Sequence, residues 1–252
     1  MSAQAALLPQ LCDGADAMEL RVDLLAERDD PIAVLRQLQL LRASTARRPV
    51  IFTVRSKGQC GAFPDDADAI FELARQAIGG WGLRGGVEYL DIEANWPMEH
   101  RAALIAEARR HYPATALIGS YHVMGRATSE ERAKELFLEC YHNGAVDAVK
   151  VVTTAMVPED GFRVHHAAQA LRLPVPYIGL CLTATGQLSR VLNRRFTPVT
   201  HGRLPAMAAP GQMTAEHIMK LRKELAIVPP RRFFLFGSPI AASPRPDMQP
   251  AG

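Results

Sequence analysis

The stretch that shows the fold most clearly is residues 18–55, which read MELRVDLLAERDDPIAVLRQLQLLRASTARRPVIFTVR. Two runs of apolar and β-branched residues, 18–24 and 50–55, lie at its ends. Between them, apolar residues recur every three or four positions, at Ile32, Leu35, Leu38 and Leu41. This spacing is typical of an amphipathic helix, whereas short apolar runs are typical of buried strands. The stretch therefore predicts a strand, a helix and a second strand in succession.

The same alternation continues along the chain. Further apolar runs lie at 87–92, 116–121, 148–152 and 175–182, with a weaker run at 198–201. A spacing of about 30 residues between runs fits a strand followed by a crossover helix. Alternating units of this kind predict a parallel sheet, and seven runs favour a closed (β/α)8 TIM barrel over the alternative, an open doubly wound sheet.

The two ends of the chain depart from a regular barrel. A helix is predicted at 5–12, where the first unit should begin with a strand, so the predicted barrel lacks its first strand. We assign residues 1–228 to the barrel. Residues 229–252 are rich in proline and alanine, and we assign them to a linker and the truncated start of a further domain.

Composition limits the classes of function. The 252 residues are 48% hydrophobic and 22% charged with a net charge of +3, which is typical of a globular protein and shows no bias towards nucleic acid. The cysteines form no Cys-x-x-Cys pair, no dinucleotide-binding glycine motif follows a strand, and His165 and His166 are expected at a helix surface. We therefore expect no metal and no cofactor. With no export signal and no long apolar run, we expect a cytoplasmic protein without a membrane span.

Charged residues end most of the predicted strands. In a (β/α) barrel the reactive side chains lie at the carboxyl ends of the strands, so these residues are expected to meet at one mouth. They are Glu19, Arg21 and Asp23 on the first strand, Arg55 after the second, Asp91 and Glu93 on the third, His122 after the fourth and Lys150 in the fifth. The pattern predicts an active site that is rich in charge.

Lys150 and His122 are the candidates for catalysis. Lys150 is flanked by valines in a predicted buried strand, and burial favours its neutral form. A neutral amine can form a Schiff base with a ketone, and His122 is suited to act as the general base. The alternative is that Lys150 reaches solvent or pairs with Asp147 or Glu93, and that His122 is only a hydrogen-bonded partner.

Arginines at the mouth indicate an anionic substrate, since a guanidinium binds a carboxylate through two parallel hydrogen bonds. The candidates are Arg21, Arg55 and Arg190. The alternative for Arg21 is an internal ion pair with Glu19 or Asp23. Gln212 follows a Pro-Gly turn, where it can hydrogen-bond a ligand hydroxyl or simply lead into the next helix.

Together these residues resemble type I 3-dehydroquinate dehydratase, the Schiff-base enzyme of the shikimate and quinate pathways. Seven segments match that family in its order: 19–23 (ELRVD), 52–55 (FTVR), 89–93 (YLDIE), 120–122 (SYH), 147–150 (DAVK), 188–190 (LSR) and 209–212 (APGQ). Within the family, they are most similar to the dehydratase portion of the fungal pentafunctional shikimate-pathway polypeptide and of the fungal quinate repressor. The resemblance implies a TIM barrel and a lyase.

The resemblance also implies roles for individual residues. Lys150 would form an imine with the C3 ketone of 3-dehydroquinate, and His122 would move a proton from C2 to the leaving C1 hydroxyl. The residues implied to bind the substrate are Glu19, Arg21, Arg55, Arg190 (on its carboxylate) and Gln212, with Gln59 and Glu93 in support. The family needs no metal or cofactor, and its barrels form homodimers or parts of larger chains.

The sequence departs from the family pattern at four positions. Gln59 stands where bacterial members have a glutamate that orients the histidine, and Cys60 replaces the first glycine of a Gly-Gly pair. Val123 replaces an aspartate after the histidine, and Ala208 replaces a serine of the closing loop. The loss of a polar neighbour at Val123 predicts a histidine that is oriented less firmly.

The end of the chain gives a second hypothesis. Residues 233–240, FFLFGSPI, resemble the first strand of shikimate dehydrogenase, but Ala241 and Arg245 replace its two substrate-binding serines. Such a change is expected in the fungal quinate repressor, where the enzyme domains serve as sensors. The alternative to an active lyase is therefore a catalytically weak or inactive quinate-sensing domain of a nuclear repressor.

Overall fold

The computed structural model describes residues 3–12, 14–45, 48–80, 86–204 and 206–229. Within them, the strands are β1 (Met18–Arg21), β2 (Val50–Thr53), β3 (Tyr89–Glu93), β4 (Ala116–His122), β5 (Ala148–Thr154) and β6 (Tyr177–Leu182). The helices are α1 (Ala3–Leu11), α2 (Pro31–Ser44), α3 (Ala67–Ile78), α4 (Met98–His111), α5 (Glu130–Tyr141), α6 (Asp160–Leu171), α7 (Gln187–Leu192) and α8 (Ala215–Glu224). In this part of the chain, no helix is long and apolar enough to span a bilayer.

The six strands form one parallel sheet in the order β1 to β6, so that strands adjacent in sequence are adjacent in space. This order, with a helix after each strand, is that of a (β/α)8 barrel, and the sheet supplies six of its strands. The open doubly wound alternative is wrong, because the strand order would reverse at its middle. Helix α1 precedes β1, as the sequence predicts.

Local sequence explains where the elements begin. Helix α2 starts after Asp30, whose carboxylate accepts a hydrogen bond from the amide of Ile32 at 2.9 Å and caps the helix. Strand β3 begins two residues later than its apolar run, because the amide of Val87 donates to the carbonyl of Ala77 at the end of α3. Strand β6 begins just after Pro176, which has no amide to donate to a sheet.

The weakest predicted strand, 198–201, does not form, and only an isolated bridge occurs there. The amides of Gly179 and Cys181 on β6 donate instead to side chains at α7 and just beyond it. Their acceptors are Asn193 Oδ1, at 3.1 Å, and Ser189 Oγ, at 2.8 Å. These side chains accept hydrogen bonds from the β6 amides that would otherwise donate to a further strand. The edge amides of β6 are therefore hydrogen-bonded without that strand.

We expect the Asn193→Ala variant to lower the free energy of unfolding by about 1–3 kcal/mol, because the buried amide of Gly179 loses its acceptor. Urea titration of the variant and the parent measures this difference. Asn95→Ala is the control, since Asn95 is exposed. Equal midpoints for the two variants would show that the Asn193 side chain does not stabilise the edge of β6.

Candidate active site

One pocket lies at the carboxyl ends of the strands, where the charged residues are predicted to meet. It is lined by eight of the predicted site residues: Glu19, Arg21, Arg55, Gln59, His122, Lys150, Arg190 and Gln212. Its apolar lining consists of Met124, Val152, Leu180 and Leu182, with Cys60, Pro198, Ala208, Ala209 and Pro210 completing the wall. Glu93 lies behind this wall, hydrogen-bonded to Arg55.

Lys150 extends from β5 into the pocket, and its side chain is only 10% exposed. Its Nζ lies 3.1 Å from Asp91 Oδ2 and 3.7 Å from Glu19 Oε1. The alternative partners considered from the sequence are wrong, because Asp147 pairs with Arg109 at the opposite end of the sheet and Glu93 pairs with Arg55. A buried amine thus faces the pocket beside two carboxylates.

Arg55 and Asp91 form the charged floor beneath this amine. Arg55 Nη2 lies 2.8 Å from Asp91 Oδ2, and Arg55 Nη1 donates to Ser120 Oγ at 3.0 Å, while the Ser120 hydroxyl donates to Asp91 Oδ1. Burial opposes ionisation of Asp91, but Arg55, Lys150 and the Ser120 hydrogen bond outweigh it and lower the pKa of Asp91 to about 2. The carboxylate is therefore charged at neutral pH.

Glu93 receives three donors from different segments. Arg55 Nη1 and the amide of Ser56 donate to its Oε1 at 3.0 and 2.9 Å, and the indole of Trp96 donates to its Oε2 at 2.9 Å. Burial raises the pKa of Glu93, although Arg55 and Ser56 oppose the rise. Glu93 fixes Arg55 from behind.

His122, at the end of β4, is held as a neutral imidazole. Burial, and then the positive charges of Arg55, Lys150 and Arg21, lower the pKa of His122 well below 6.5. Gln59 Oε1 accepts the backbone amide of His122 at 2.7 Å. The buried Nδ1 atom of His122 has no hydrogen-bond partner among the described residues. A neutral imidazole of this kind can accept a proton.

Glu19 and Arg21 lie two residues apart on β1, and both line the pocket. Glu19 accepts a hydrogen bond from Thr53 Oγ1 at 2.8 Å. Burial would raise the pKa of Glu19, but Lys150 and Arg21 outweigh it and lower the pKa. Of the two partners considered for Arg21, Asp23 forms the ion pair, at 2.7 Å.

Arg190, on α7, is almost fully buried, and no carboxylate of the described residues lies within ion-pair distance of it. Burial lowers the pKa of Arg190 to about 10. Its Nη1 donates to the carbonyl of Pro198 at 3.3 Å, while its buried Nε has no partner in the described part of the chain. A buried cation without a counter-ion at a pocket wall is suited to bind an anionic ligand.

Gln212 lies in a loop that forms one side of the pocket. Its Oε1 accepts the amides of Ala208 and Ala209 at 3.0 and 3.3 Å. Gly211 has φ of +77°, and a Cβ there would lie 2.1 Å from the carbonyl of Thr183, so only glycine fits. No described residue accepts a hydrogen bond from the two side-chain N–H groups of Gln212, so they can donate to a ligand.

The expectation that both adjacent histidines lie at the surface is wrong for His165, which is buried, and holds for His166. His165 Nε2 lies 2.9 Å from the carbonyl of Ser189, so it contacts the helix of Arg190. Sequence reasoning also gave no role to Ser120, which joins Arg55 to Asp91, or to Trp96. Among the residues that the structure describes, no group of three His, Cys, Asp or Glu side chains is placed to hold a metal.

A sequence model of the family described as Type I 3-dehydroquinase matches residues 1–227. The chain belongs to the type I 3-dehydroquinase family. It is 38% identical over 252 residues to the Pentafunctional AROM polypeptide of Yarrowia lipolytica, a match that covers 98% of this chain and 16% of the relative. It is 39% identical over 250 residues to the Pentafunctional AROM polypeptide of Malassezia globosa, a match that covers 95% of this chain and 15% of the relative. The chain thus spans about one-sixth of the length of these curated relatives.

Solved structures of type I 3-dehydroquinase proteins share the fold. The structure of dehydroquinate dehydratase and shikimate dehydrogenase from S. pombe AroM has a TM-score of 0.83 and 32% identity, covering 95% of this chain and 45% of that one. The 3-dehydroquinate dehydratase of Enterococcus faecalis has a TM-score of 0.71 and 17% identity. The match covers 88% of this chain and 87% of that one. The second likeness shows the barrel fold alone.

The structure accommodates three positions at which this chain departs from its family pattern. Cys60 adopts φ of +71°, the left-handed conformation that a glycine takes without strain. The amide of Val123 donates to the carbonyl of Val152 at 2.8 Å, and its side chain packs on the core. Ala208 contributes its amide to Gln212. The residues of the dehydrogenase-like segment, 233–240, Ala241 and Arg245, lie outside the described residues.

Proposed function

We propose that this chain dehydrates 3-dehydroquinate to 3-dehydroshikimate through an imine on Lys150, as a step of the shikimate or quinate pathway. The observation that supports this function is the composition of one pocket. It holds a buried amine, Lys150, a neutral imidazole, His122, and a buried guanidinium, Arg190, that has no carboxylate partner. An amine, a base and an anion-binding group are what the elimination of water from a keto acid requires.

The imine forms first. Lys150 gives one ammonium proton to neutral His122, and its lone pair attacks the C3 carbonyl carbon of the substrate. After a proton shifts from nitrogen to oxygen, His122 returns its proton to the C3 hydroxyl, which leaves as water. The charge of Lys150 is then on the iminium, where Asp91 and Glu19 continue to stabilise it at 3.1 and 3.7 Å from the nitrogen position.

Elimination follows on this iminium. His122 removes a proton from C2, and the electrons of the C–H bond form an enamine. The enamine then expels the C1 hydroxyl, which takes the proton from His122 and leaves as water. Hydrolysis of the conjugated imine releases 3-dehydroshikimate and restores the ammonium of Lys150. No oxidant, metal or cofactor enters this sequence of steps.

The other residues bind the substrate in this proposal. Arg190 binds the carboxylate at C1, because it is a buried cation at the pocket wall with no carboxylate of the described residues within ion-pair distance. The groups that bind hydroxyls are Glu19, Arg21 and Gln212. Arg55 holds Asp91 beside Lys150 and, at the pocket wall, also binds the substrate with a remaining donor. Gln59 supports His122 by accepting a hydrogen bond from its backbone amide, and Glu93 supports Arg55 by accepting one from its guanidinium.

The setting of the domain is also proposed. We infer that residues 1–228 form the dehydratase barrel and that residues 229–252 belong to a linker and the start of a shikimate-dehydrogenase-like domain, in a larger cytoplasmic chain or a homodimer. The length of the AROM relatives supports a larger chain. The alternative is a quinate-sensing domain of a nuclear repressor. Such a domain would bind its ligand in the same pocket but would not convert it to a product.

Incubation of the protein with 3-dehydroquinate and borohydride tests this proposal, because borohydride reduces an imine to a stable amine. We expect an intact-mass increase that corresponds to the reduced, dehydrated product, and peptide mapping should locate it on Lys150. Lys220 serves as an internal control, since its side chain is 72% exposed and it should carry no adduct. An adduct with the mass of the reduced substrate, in which the C1 hydroxyl is retained, would favour the quinate-sensing alternative. The absence of any adduct would contradict an imine on Lys150.

A further inference from the structure

Asp23 is a buried carboxylate next to the pocket that does not line it. It follows β1 in a short 3-10 turn, Val22–Leu24, and its side chain is fully buried. Its Oδ1 accepts from Arg21 Nε at 2.7 Å, and its Oδ2 accepts from Arg21 Nη2 at 2.8 Å. The amide of Ala62, in the loop after β2, donates to the same Oδ2 at 3.1 Å.

These contacts restrict Arg21 strongly. A free arginine side chain has many rotamers, but two parallel hydrogen bonds fix the plane of its guanidinium. The Ala62 amide fixes the carboxylate in turn, so that it cannot rotate away from Arg21. Both Nε and Nη2 of Arg21 are engaged, which leaves Nη1 with no partner among the described residues. The side chain is 18% exposed, at the pocket wall.

We propose that Asp23 is a positioning residue that holds the Arg21 guanidinium with its Nη1 edge towards a substrate oxygen. The inference rests on the proposed function, since Arg21 must bind the substrate for its position to matter. Asp23 contributes no atom to the pocket and acts only through Arg21. Its removal should therefore weaken substrate binding without changing the chemistry at Lys150.

Asp23→Asn tests this role with little change in shape. An amide NH2 at either oxygen position meets an N–H donor of Arg21, so one of the two parallel bonds must break, while the remaining oxygen can still accept from Ala62. We expect KM for 3-dehydroquinate to rise about 10-fold, the loss of roughly one charge-assisted hydrogen bond, with kcat nearly unchanged. Should the parent prove inactive, the dissociation constant from calorimetry replaces KM.

Asp160→Asn is the matched control. Asp160 is also a buried carboxylate, and it also accepts from one arginine, Arg163, and from backbone amides, those of Met156 and Val157. It does not line the pocket. A merely structural role for Asp23 predicts similar changes in both variants, whereas the proposed role predicts a change in KM for Asp23→Asn alone.

A double-mutant cycle with Arg21→Met separates the positioning role from other effects of Asp23. If Asp23 acts through Arg21, Asp23→Asn should leave KM unchanged in the Arg21→Met background. An equal rise in KM in both backgrounds, or an unchanged KM in the single variant, would overturn the proposal while turnover or binding by the parent still supports the proposed function. A parent that neither binds nor dehydrates 3-dehydroquinate would overturn both.

Discussion

Lys150→Met is expected to lower kcat for the dehydration of 3-dehydroquinate by at least about 10³-fold, because the variant has no amine to form the imine. Methionine has nearly the length of lysine and suits the apolar side of the pocket. Substrate binding should persist, since Arg190 and Gln212 are unchanged. The rise in ultraviolet absorbance of the conjugated enone product measures turnover, and calorimetry measures binding.

The fold should tolerate this change. Once the ammonium of Lys150 is gone, Asp91 keeps Arg55 at 2.8 Å and the hydroxyl of Ser120, so no unpaired buried carboxylate is created. Lys220→Met is the control, because Lys220 is exposed on α8 and outside the pocket. Turnover by Lys150→Met within a few-fold of the parent would exclude the imine mechanism.

The period of two along a strand predicted that Glu19 and Arg21 share the pocket. Glu19 and Arg21 are two positions apart on β1, and both line it. Lys150 on β5 and His122 on β4 lie there because all six strands are parallel, so their carboxyl ends meet. The positions of these residues therefore followed from the repeated βα pattern, whereas Asp23, which continues the same period, lies in a 3-10 turn and does not line the pocket.

The partner of Lys150 could not be predicted in the same way. Asp91 and Glu93 face the same side of β3, so the period of two does not decide which of them meets the ammonium. In the structure, Ser120 on β4 pairs in register with both Glu93 and Lys150. Arg55 pairs with both Glu93 and Asp91, and Asp91 also pairs with Lys150. Such an arrangement depends on contacts among three strands that no local pattern records.

The burial of His165 is indicated by the helical spacing of its neighbours, although not by its residue type. Gly161, Val164, His165 and Ala168 follow the i, i+3, i+4, i+7 pattern of one helix face, and all four are buried in α6. A histidine in an apolar stripe is a candidate for burial, whereas His166 falls on the opposite, exposed side. The helical period thus distinguishes two adjacent residues of the same type.

His122→Asn is expected to lower kcat by about 10²–10⁴-fold, the usual contribution of a general acid–base group. The amine of Lys150 remains, so borohydride should still trap an imine, although the imine should form more slowly because His122 also carries the protons of that step. That adduct should retain the C1 hydroxyl, because the proton at C2 is no longer removed. A trapped adduct with the mass of the dehydrated product, formed at the parent rate, would show that another group is the base.

The pH dependence of the parent follows from the same residue. Burial, with the charges of Arg55, Lys150 and Arg21, lowers the pKa of His122 well below 6.5, so the base is unprotonated at neutral pH. We therefore expect kcat/KM to stay constant as pH falls from 7 to 6.5 and to decline only in more acidic solution. A decline centred at or above pH 6.5 would contradict a depressed pKa for the base.

The same depressed pKa also predicts how stability depends on pH. Below pH 6.5, the histidine of the unfolded chain binds a proton that folded His122 does not, so acid favours unfolding by up to about 1.4 kcal/mol per pH unit. Asparagine does not titrate, and His122→Asn should therefore lose less stability than the parent between pH 6.5 and 5. Urea titrations at the two pH values measure the difference, with His166→Asn as the exposed control. A variant that loses catalysis but resists acid better than the parent would identify His122 as a base whose neutral form the fold maintains at the expense of acid stability.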